Sequence, residues 1–442
     1  MSGRFPTARL RAGLALYTAA WILALPLVLG YFFWRSRRDP HYRAHLAERF
    51  GRGAAGTPGS VWVHAVSLGE LRSAVPLIEA LLDRGEPIVI TTTTPAGRRE
   101  AERVFGARIA AGRVALTWCP LEFGAAYRRF FARFAPKYGL VMEIEIWPRM
   151  IAAAHRAGVP LFLCNSQYPL KSYERDKARG GLRAGILAGL AGVFAKSDLQ
   201  AKRFAALGAP NVHVTGELRF DQPIPKAQLD AAEAAKSWLG ADTRPIITIA
   251  SAIEGEDAAY AEVIRAVQSA HSEAGAAAPL FIYVPRAPER FGDVAEILRK
   301  AGLKIARRSA ALDAALAPKG PLGDADVLVG DSMGEMYFYL APATRVIVGG
   351  GFHPKGAHNI IEPLALQKPV LVGPHIWTIE NPGTEAIEAG VLTVLPDRAA
   401  LVAALAPGAP GGPAPDDIAR FFKANAGSVA RTLSAIDAQS GR

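Results

Sequence analysis

Val61-Trp62-Val63-His64-Ala65-Val66-Ser67-Leu68-Gly69-Glu70 opens as a nearly continuous apolar run and closes in Ser-x-x-Glu, the spacing of a helix capping box. It predicts a strand over 61–66 that delivers the chain into a helix over 70–82, one βα unit. The pattern then recurs. Residues 87–93 read as a strand and 96–105 as a helix, and 114–118, 139–142, 160–164, 192–195 and 212–214 are further short apolar runs between helical patterns. Such runs suit a parallel sheet covered on both faces. Proline-rich 221–226 interrupts the alternation, which restarts through strand-like runs at 245–250, 280–284, 326–329, 344–348 and 369–372. Residues 408–415 read as a loop and 416–436 as a terminal helix. The expected fold class is α/β, with two doubly wound domains facing each other across a cleft and ligands at the carboxyl ends of the strands.

Bulk properties agree with a folded chain of two domains: 442 residues, half of them apolar and 21% charged. Cys119 and Cys164, the only two cysteines, sit in apolar strand-like contexts, which excludes a disulfide scaffold and fits buried thiols in a reducing compartment. The net charge of +11 suits nucleic acid, an anionic membrane or a phosphorylated substrate. Nucleic acid is set aside, because no aromatic RNA-binding motif or Cys/His finger spacing occurs. Residues 13–34 run without a charge for 22 positions, flanked by Arg4, Arg9 and Arg11 before and Arg35, Arg37 and Arg38 after. About 20 apolar residues cross a bilayer core, so 1–40 is expected to be a retained membrane anchor rather than a cleaved signal. A short basic helix is expected to follow it.

Four loops carry candidate chemistry. After the first strand, Ser67, Gly69 and Glu70 either merely cap a helix or place a carboxylate where it can take a proton from a hydroxyl. Glu143 and Glu145 point to one side if the chain stays extended there, as an acid/base pair, a shared binding point or a solvated strand end. Arg286, set between Pro285 and Pro288, suits a phosphate or carboxylate clamp, with Glu289 and Arg290 as an ordinary surface pair. Met333-Gly334-Glu335 ends one strand, and the glycines at 349–351 lead through Lys355 and His358 to Asn359-Ile360-Ile361-Glu362. There a helix start would face a phosphate while Glu362 reaches a ribose hydroxyl, although Asn-x-x-Glu is also a capping spacing. No histidine or aspartate pattern suggests a metal site, and His155, His213 and His271 read as structural.

Taken together, HAVSLGE, MEIEIWP, VTGELRFD, the Ser-x-x-Glu-Gly-Glu of 251–256, PRAPER, GDSMGE and GAHNIIEP resemble, in this order, the 3-deoxy-D-manno-octulosonic acid (Kdo) transferases of lipopolysaccharide synthesis. The resemblance covers essentially the whole chain. It implies a GT-B fold, with the membrane anchor at 1–40, an acceptor-binding Rossmann-like domain over 41–224, a CMP-sugar-binding one over 225–415, and a helix over 416–442 packing back on the first. It implies inverting, metal-independent transfer of Kdo from CMP-Kdo to a lipid A precursor (lipid IVA) at the bacterial inner membrane, catalytic domains on the cytoplasmic side. Membrane lipids would be the other partners, and no cofactor is needed. The implied catalytic residues are Glu70 as base, Glu145 ahead of Glu143, and Arg219. Donor binding falls on Pro285, Arg286, Met333, Gly334, Glu335, Asn359, Ile360, Ile361 and Glu362, leaving Ser67, Gly69, Glu143, Lys355 and His358 as acceptor or sugar candidates.

The chain departs from the family pattern at four places. Arg219 replaces a usual lysine, Ala357 a glycine, and Ala252-Ile253 a Thr-His pair. Asn165-Ser166-Gln167-Tyr168-Pro169 replaces Asn-x-Arg-Leu-Ser and loses an arginine. Competing readings are a membrane-associated inverting GT-B enzyme with another nucleotide sugar and a non-catalytic nucleotide-binding scaffold. Release of cytidine monophosphate discriminates the first, and retention of Glu70 and Arg286 speaks against the second.

Overall fold

The computed structural model describes residues 5–53, 56–178 and 181–440. Arg4 lies outside them, as do Ala54 and Ala55. The chain forms two units, Met1–Gln222 with Ala426–Arg442, and Pro223–Asn425.

The first unit is built on seven parallel strands: β1 (Val61–His64), β2 (Ile88–Thr92), β3 (Val114–Trp118), β4 (Tyr138–Met142), β5 (Leu161–Ser166), β6 (Gly192–Ala195) and β7 (Val212–Val214). They lie in the order β3-β2-β1-β4-β5-β6-β7. Side chains alternate across the sheet as the pleat requires. Trp62 faces one apolar layer, 5.0 Å from the Phe130 ring, while Val61 and Val63 face the other layer with Leu71, Leu77 and Ile78. The helix Leu68–Asp83 begins at Ser67, whose hydroxyl accepts the Glu70 N–H.

Before the sheet, Ala8–Arg35 is one helix. It is apolar and long enough to cross a membrane by length and composition, and Leu16, Ile22, Leu23 and Leu27 are exposed along it. Its first half also touches the first unit: Arg149 donates from Nε to Thr18 Oγ1 (2.6 Å) and from Nη2 to the Leu14 carbonyl (2.9 Å). The expected basic helix after it is instead two 3₁₀ turns, Pro40–Tyr42 and Leu46–Phe50. The left-handed backbone of His45 (φ +53°) breaks helical continuity between them. The second turn is tied down by a buried pair, Arg98 Nη1 with Glu48 Oε2 at 2.6 Å. In the helix Gly124–Phe134, Tyr127, Phe130, Phe131 and Phe134 point into the core, and Arg128, Arg129 and Ala132 are exposed on its outward side.

The second unit repeats the plan: β8 (Ile246–Ala252), β9 (Leu280–Pro285), β10 (Ile305–Arg307), β11 (Val327–Val329), β12 (Arg345–Val348), β13 (Val370–Val372) and β14 (Leu392–Val394), all parallel, in the order β10-β11-β9-β8-β12-β13-β14. The expected single terminal helix is corrected to two, Pro415–Asn425 and Ser428–Ser440, parted at Gly427 (φ +83°). The last one belongs to the first unit. Its Leu433 and Ile436 enter that core, and Asp221 accepts the N–H groups of Gly427 and Val429, both at 2.6 Å, capping its start.

Glu122 shows how tightly the first unit is wired. Fully buried, it accepts the Tyr127 hydroxyl (3.0 Å) and the N–H groups of Arg149 (2.8 Å) and Met150 (3.1 Å) at the start of helix Pro148–Arg156. Glu122→Ala strands three donors, and the stability read from a denaturant midpoint is expected to fall by about 2–4 kcal/mol.

Candidate active site

In the first sheet the strand order reverses between β1 and β4; in the second, where β11 lies between β10 and β9, the central reversal falls between β8 and β12. The loops leaving the carboxyl ends at these points are where a doubly wound fold binds ligands.

In the first unit, Glu70 takes the capping role that its spacing allowed. Its Oε2 accepts the Val66 N–H at 2.7 Å and its Oε1 the Ser67 hydroxyl at 3.1 Å, which braces the helix start. The carboxylate is also half-buried, and its pKa is pushed up to about 7. Burial is the main cause. The Val66 N–H and Ser67 hydroxyl oppose it, and the Glu145 and Glu143 carboxylates add to it. The structure thus brings Ser67, Glu70, Glu143 and Glu145 together.

The expectation that Glu143 and Glu145 lie on one side of an extended strand is corrected. β4 ends at Met142, and Glu143 turns into the left-handed region (φ +56°). The two carboxylates therefore go to different partners. Glu145 accepts the indole N–H of Trp147, and burial raises its pKa. Glu143 enters a buried network that the sequence did not announce. Its Oε1 accepts Lys196 Nζ (2.7 Å) and Asn165 Nδ2 (3.0 Å). Lys196 Nζ also lies 2.9 Å from Glu217 Oε2, which is 3.0 Å from Arg219 Nη2, and Asn165 Nδ2 reaches Glu217 Oε1 at 3.0 Å. Burial works against the charge on Glu217, but the Arg219 and Lys196 cations outweigh it and hold its carboxyl well below the usual range. Arg219, a sequence candidate, is thus positioned through Glu217. Lys196 and Glu217 had no role assigned from sequence: a lysine ahead of Ser197-Asp198 looks like an ordinary helix-start surface residue.

In the second unit the candidates meet around β8, β9 and β12. Arg286, just after β9, donates its N–H to the Ala252 carbonyl at 3.0 Å and brings its guanidinium against the His358 ring. Burial, with the nearby Arg286 charge, pushes His358 down to about 4, so the imidazole is neutral around pH 7. Asn359 Oδ1 accepts the Ile361 N–H (3.0 Å) and opens a helix of one turn, Ile361–Ala365. Ile360 and Ile361 are buried, and Lys355 is exposed.

The glycines at 349–351 admit protein rather than an open ligand surface. A Cβ on Gly349 would lie 2.5 Å from the Ser251 carbonyl oxygen, and one on Gly350 2.2 Å from that of Gly356. Buried Glu256 fixes this turn by accepting the Gly350 N–H (2.8 and 2.9 Å to its two oxygens) and the Ile253 N–H (3.1 Å). Arg290 is not a surface partner of Glu289; it pairs with buried Asp257. In the turn after β11, Met333 is exposed while Glu335 is clamped by Arg308 (2.7 and 2.6 Å) and touched by the Ser332 and Tyr339 hydroxyls. Glu335 thus shapes the loop that presents Met333 and Gly334. Among the described residues no group of three or more His, Cys, Asp or Glu is gathered as a metal site.

Residues 44–222 match the model of the family described as 3-Deoxy-D-manno-octulosonic-acid transferase (kdotransferase). A 3-deoxy-D-manno-octulosonic acid transferase of Bordetella pertussis is 42% identical over 434 residues, 96% of this chain and 99% of that protein. One from Haemophilus influenzae is 30% identical, over 86% of each chain. Among solved structures, a putative UDP-N-acetylglucosamine 2-epimerase of Listeria monocytogenes superposes with a TM-score of 0.55 at 15% identity, covering 86% of this chain and 96% of the other. That last likeness bears on the fold alone, which is of the GT-B type.

The clamp on Glu335 is open to a direct test. Arg308→Met leaves a largely buried carboxylate without its cation and is expected to cost about 3 kcal/mol in chemical denaturation. Adding Glu335→Gln should return most of it.

Proposed function

Because the chain belongs to the 3-deoxy-D-manno-octulosonic acid transferase family, and is a glycosyltransferase of that family, we propose that it moves Kdo from CMP-Kdo to a hydroxyl of a phosphorylated lipid A precursor, lipid IVA, with inversion and without a metal ion. The observation that carries the mechanism is Glu70, a half-buried carboxylate at the switch point of the first sheet with a pKa raised to about 7. A general base is most effective when its pKa lies near the working pH. Glu70 takes the proton of the attacking hydroxyl, with Ser67 and Gly69 beside it. The carboxylates of Glu143 and Glu145 favour positive character growing at the sugar carbon as the bond to phosphate stretches.

In the second unit, Arg286 supplies the cation for the departing cytidylate, with His358 beside it as a neutral donor. The turns at 333–335 and 359–362 hold the nucleotide, and Lys355 is an exposed cation for the acidic sugar. A single displacement, with one base and one leaving group, inverts the reacting centre. The apolar helix Ala8–Arg35 anchors the chain in the bacterial inner membrane, and the catalytic units lie on its cytoplasmic side. Both cysteines being free and buried supports that placement, and so does a net charge of +11 suited to anionic headgroups.

The deciding experiment incubates the detergent-solubilised chain with CMP-Kdo and tetra-acylated bisphosphorylated disaccharide lipid and weighs the lipid by mass spectrometry. A mass increase by one or more Kdo units with release of cytidine monophosphate is expected; transfer only from another nucleotide sugar would overturn the reading. Glu70→Ala should lose about 10²–10⁴-fold in turnover while still binding cytidine monophosphate. For the native chain kcat/KM should rise with pH below about 7, as the Glu70 carboxylate forms, and level off above it. Ser67→Ala should move that midpoint upward, because the lost hydroxyl had stabilised the charged form.

A further inference from the structure

Lys196 takes no part in the reaction as described above. It follows β6 with its side chain 4% exposed, and its ammonium stands between Glu143 and Glu217. Burial works to strip the charge from a lysine, but the two carboxylates outweigh that and keep its pKa above the ordinary value. An ion pair serving stability alone would account for this much.

Two features go further. First, Glu143 and Asn165, at the ends of adjacent strands β4 and β5, both hold left-handed backbone, φ +56° and +53°. Such strain persists where surroundings enforce it, commonly at functional sites. Here the two are locked together by the Asn165 Nδ2 bond to Glu143 Oε1 and by Ser166 Oγ donating to the Glu143 carbonyl at 2.6 Å. Second, Glu143 is held on one side only. Lys196 and Asn165 both bind Oε1, Oε2 has no protein donor among the described residues, and 26% of the side chain remains open. Glu217, in contrast, has both oxygens engaged and is 1% exposed.

We propose that Lys196 is a positioning residue of the first unit: by gripping one oxygen of Glu143 it presents the other to a hydroxyl of the sugar substrate. The proposal rests on the transferase reading. It also gives meaning to the departure at Gln167. Where the family resemblance places an arginine after β5, this chain has a neutral side chain, and the neighbouring strand β6 delivers a cation to the same strand ends.

The full chain is assayed in detergent with CMP-Kdo and the disaccharide lipid, using Lys196→Met, Lys196→Arg, Glu143→Gln and the double variant Lys196→Met/Glu143→Gln. Lys196→Met is expected to lose about a hundredfold in kcat, with KM for CMP-Kdo changed by less than about twofold. Lys196→Arg should recover at least about tenfold of that loss, since it restores the cation. Because Lys196 acts through Glu143, the double variant should be no slower than Glu143→Gln alone. Its melting temperature should also recover relative to Lys196→Met, as no charge is left orphaned. Native-like kcat in Lys196→Met, or losses that multiply in the double variant, would overturn the proposal. If Lys196→Met does not fold, the double variant and Lys196→Arg decide the matter on the same terms. Absence of Kdo transfer by the unaltered chain would instead sink the functional reading, and the melting temperatures would then decide whether the two side chains are coupled.

Discussion

Four ionised groups packed at the ends of β4 to β7 stay charged only because they cancel. Glu143 and Glu217 carry two negative charges, Lys196 and Arg219 two positive, and Asn165 bridges the two carboxylates. Removing an ion from water costs several kcal/mol even after relaxation, so Lys196 and Glu217, the two that are almost wholly buried, depend on their partners. The parallel sheet makes the cancellation possible, because it brings the exits of successive strands to one edge. Glu70 lies close enough to feel Glu143 and Glu145, while among the described residues its carboxylate is bonded to Val66 and Ser67. Burial is what chiefly raises its affinity for a proton, and the repulsion from the two carboxylates adds to it.

Much of the fold was readable because central parallel strands are buried on both faces and must be written in continuous apolar residues. β3, β6 and β7 lie where the apolar runs placed them, and the other strands read from such runs shift by a residue or two at their ends. Two strands escaped, β10 and β14. Both are three-residue sheet edges, partly exposed and carrying Arg307 or Thr393, so they lack that signature. The terminal helix was misread for a different reason. Its periodicity continues across Gly427, and only the tertiary cap from Asp221, 206 positions earlier, makes a new start there.

The candidate site was half legible. Glu70, Arg286 and the turns at 333–335 and 359–362 stand at strand exits, where sequence patterns mark loops. Their supports were not visible, because each acts across a long stretch of chain: Arg308 on Glu335, Glu256 on the turn at Gly350, Lys196 on Glu143. The left-handed turn at Glu143 was also hidden. Alternating Glu-Ile-Glu-Ile is a strand-like pattern, and nothing local says that the strand has already ended.

The last helix has a bearing on biogenesis. The second unit is spliced between Gln222 and Ala426 of the first, so the first unit receives Leu433 and Ile436 only after every residue of the inserted unit has been made. Until then the seven-stranded sheet emerges with an uncovered apolar patch, while the inserted unit already has its whole sequence. The unit begun first is therefore sealed only after the inserted one is complete, and a nascent chain stalled before Leu433 would carry a complete inserted unit and an unsealed first sheet.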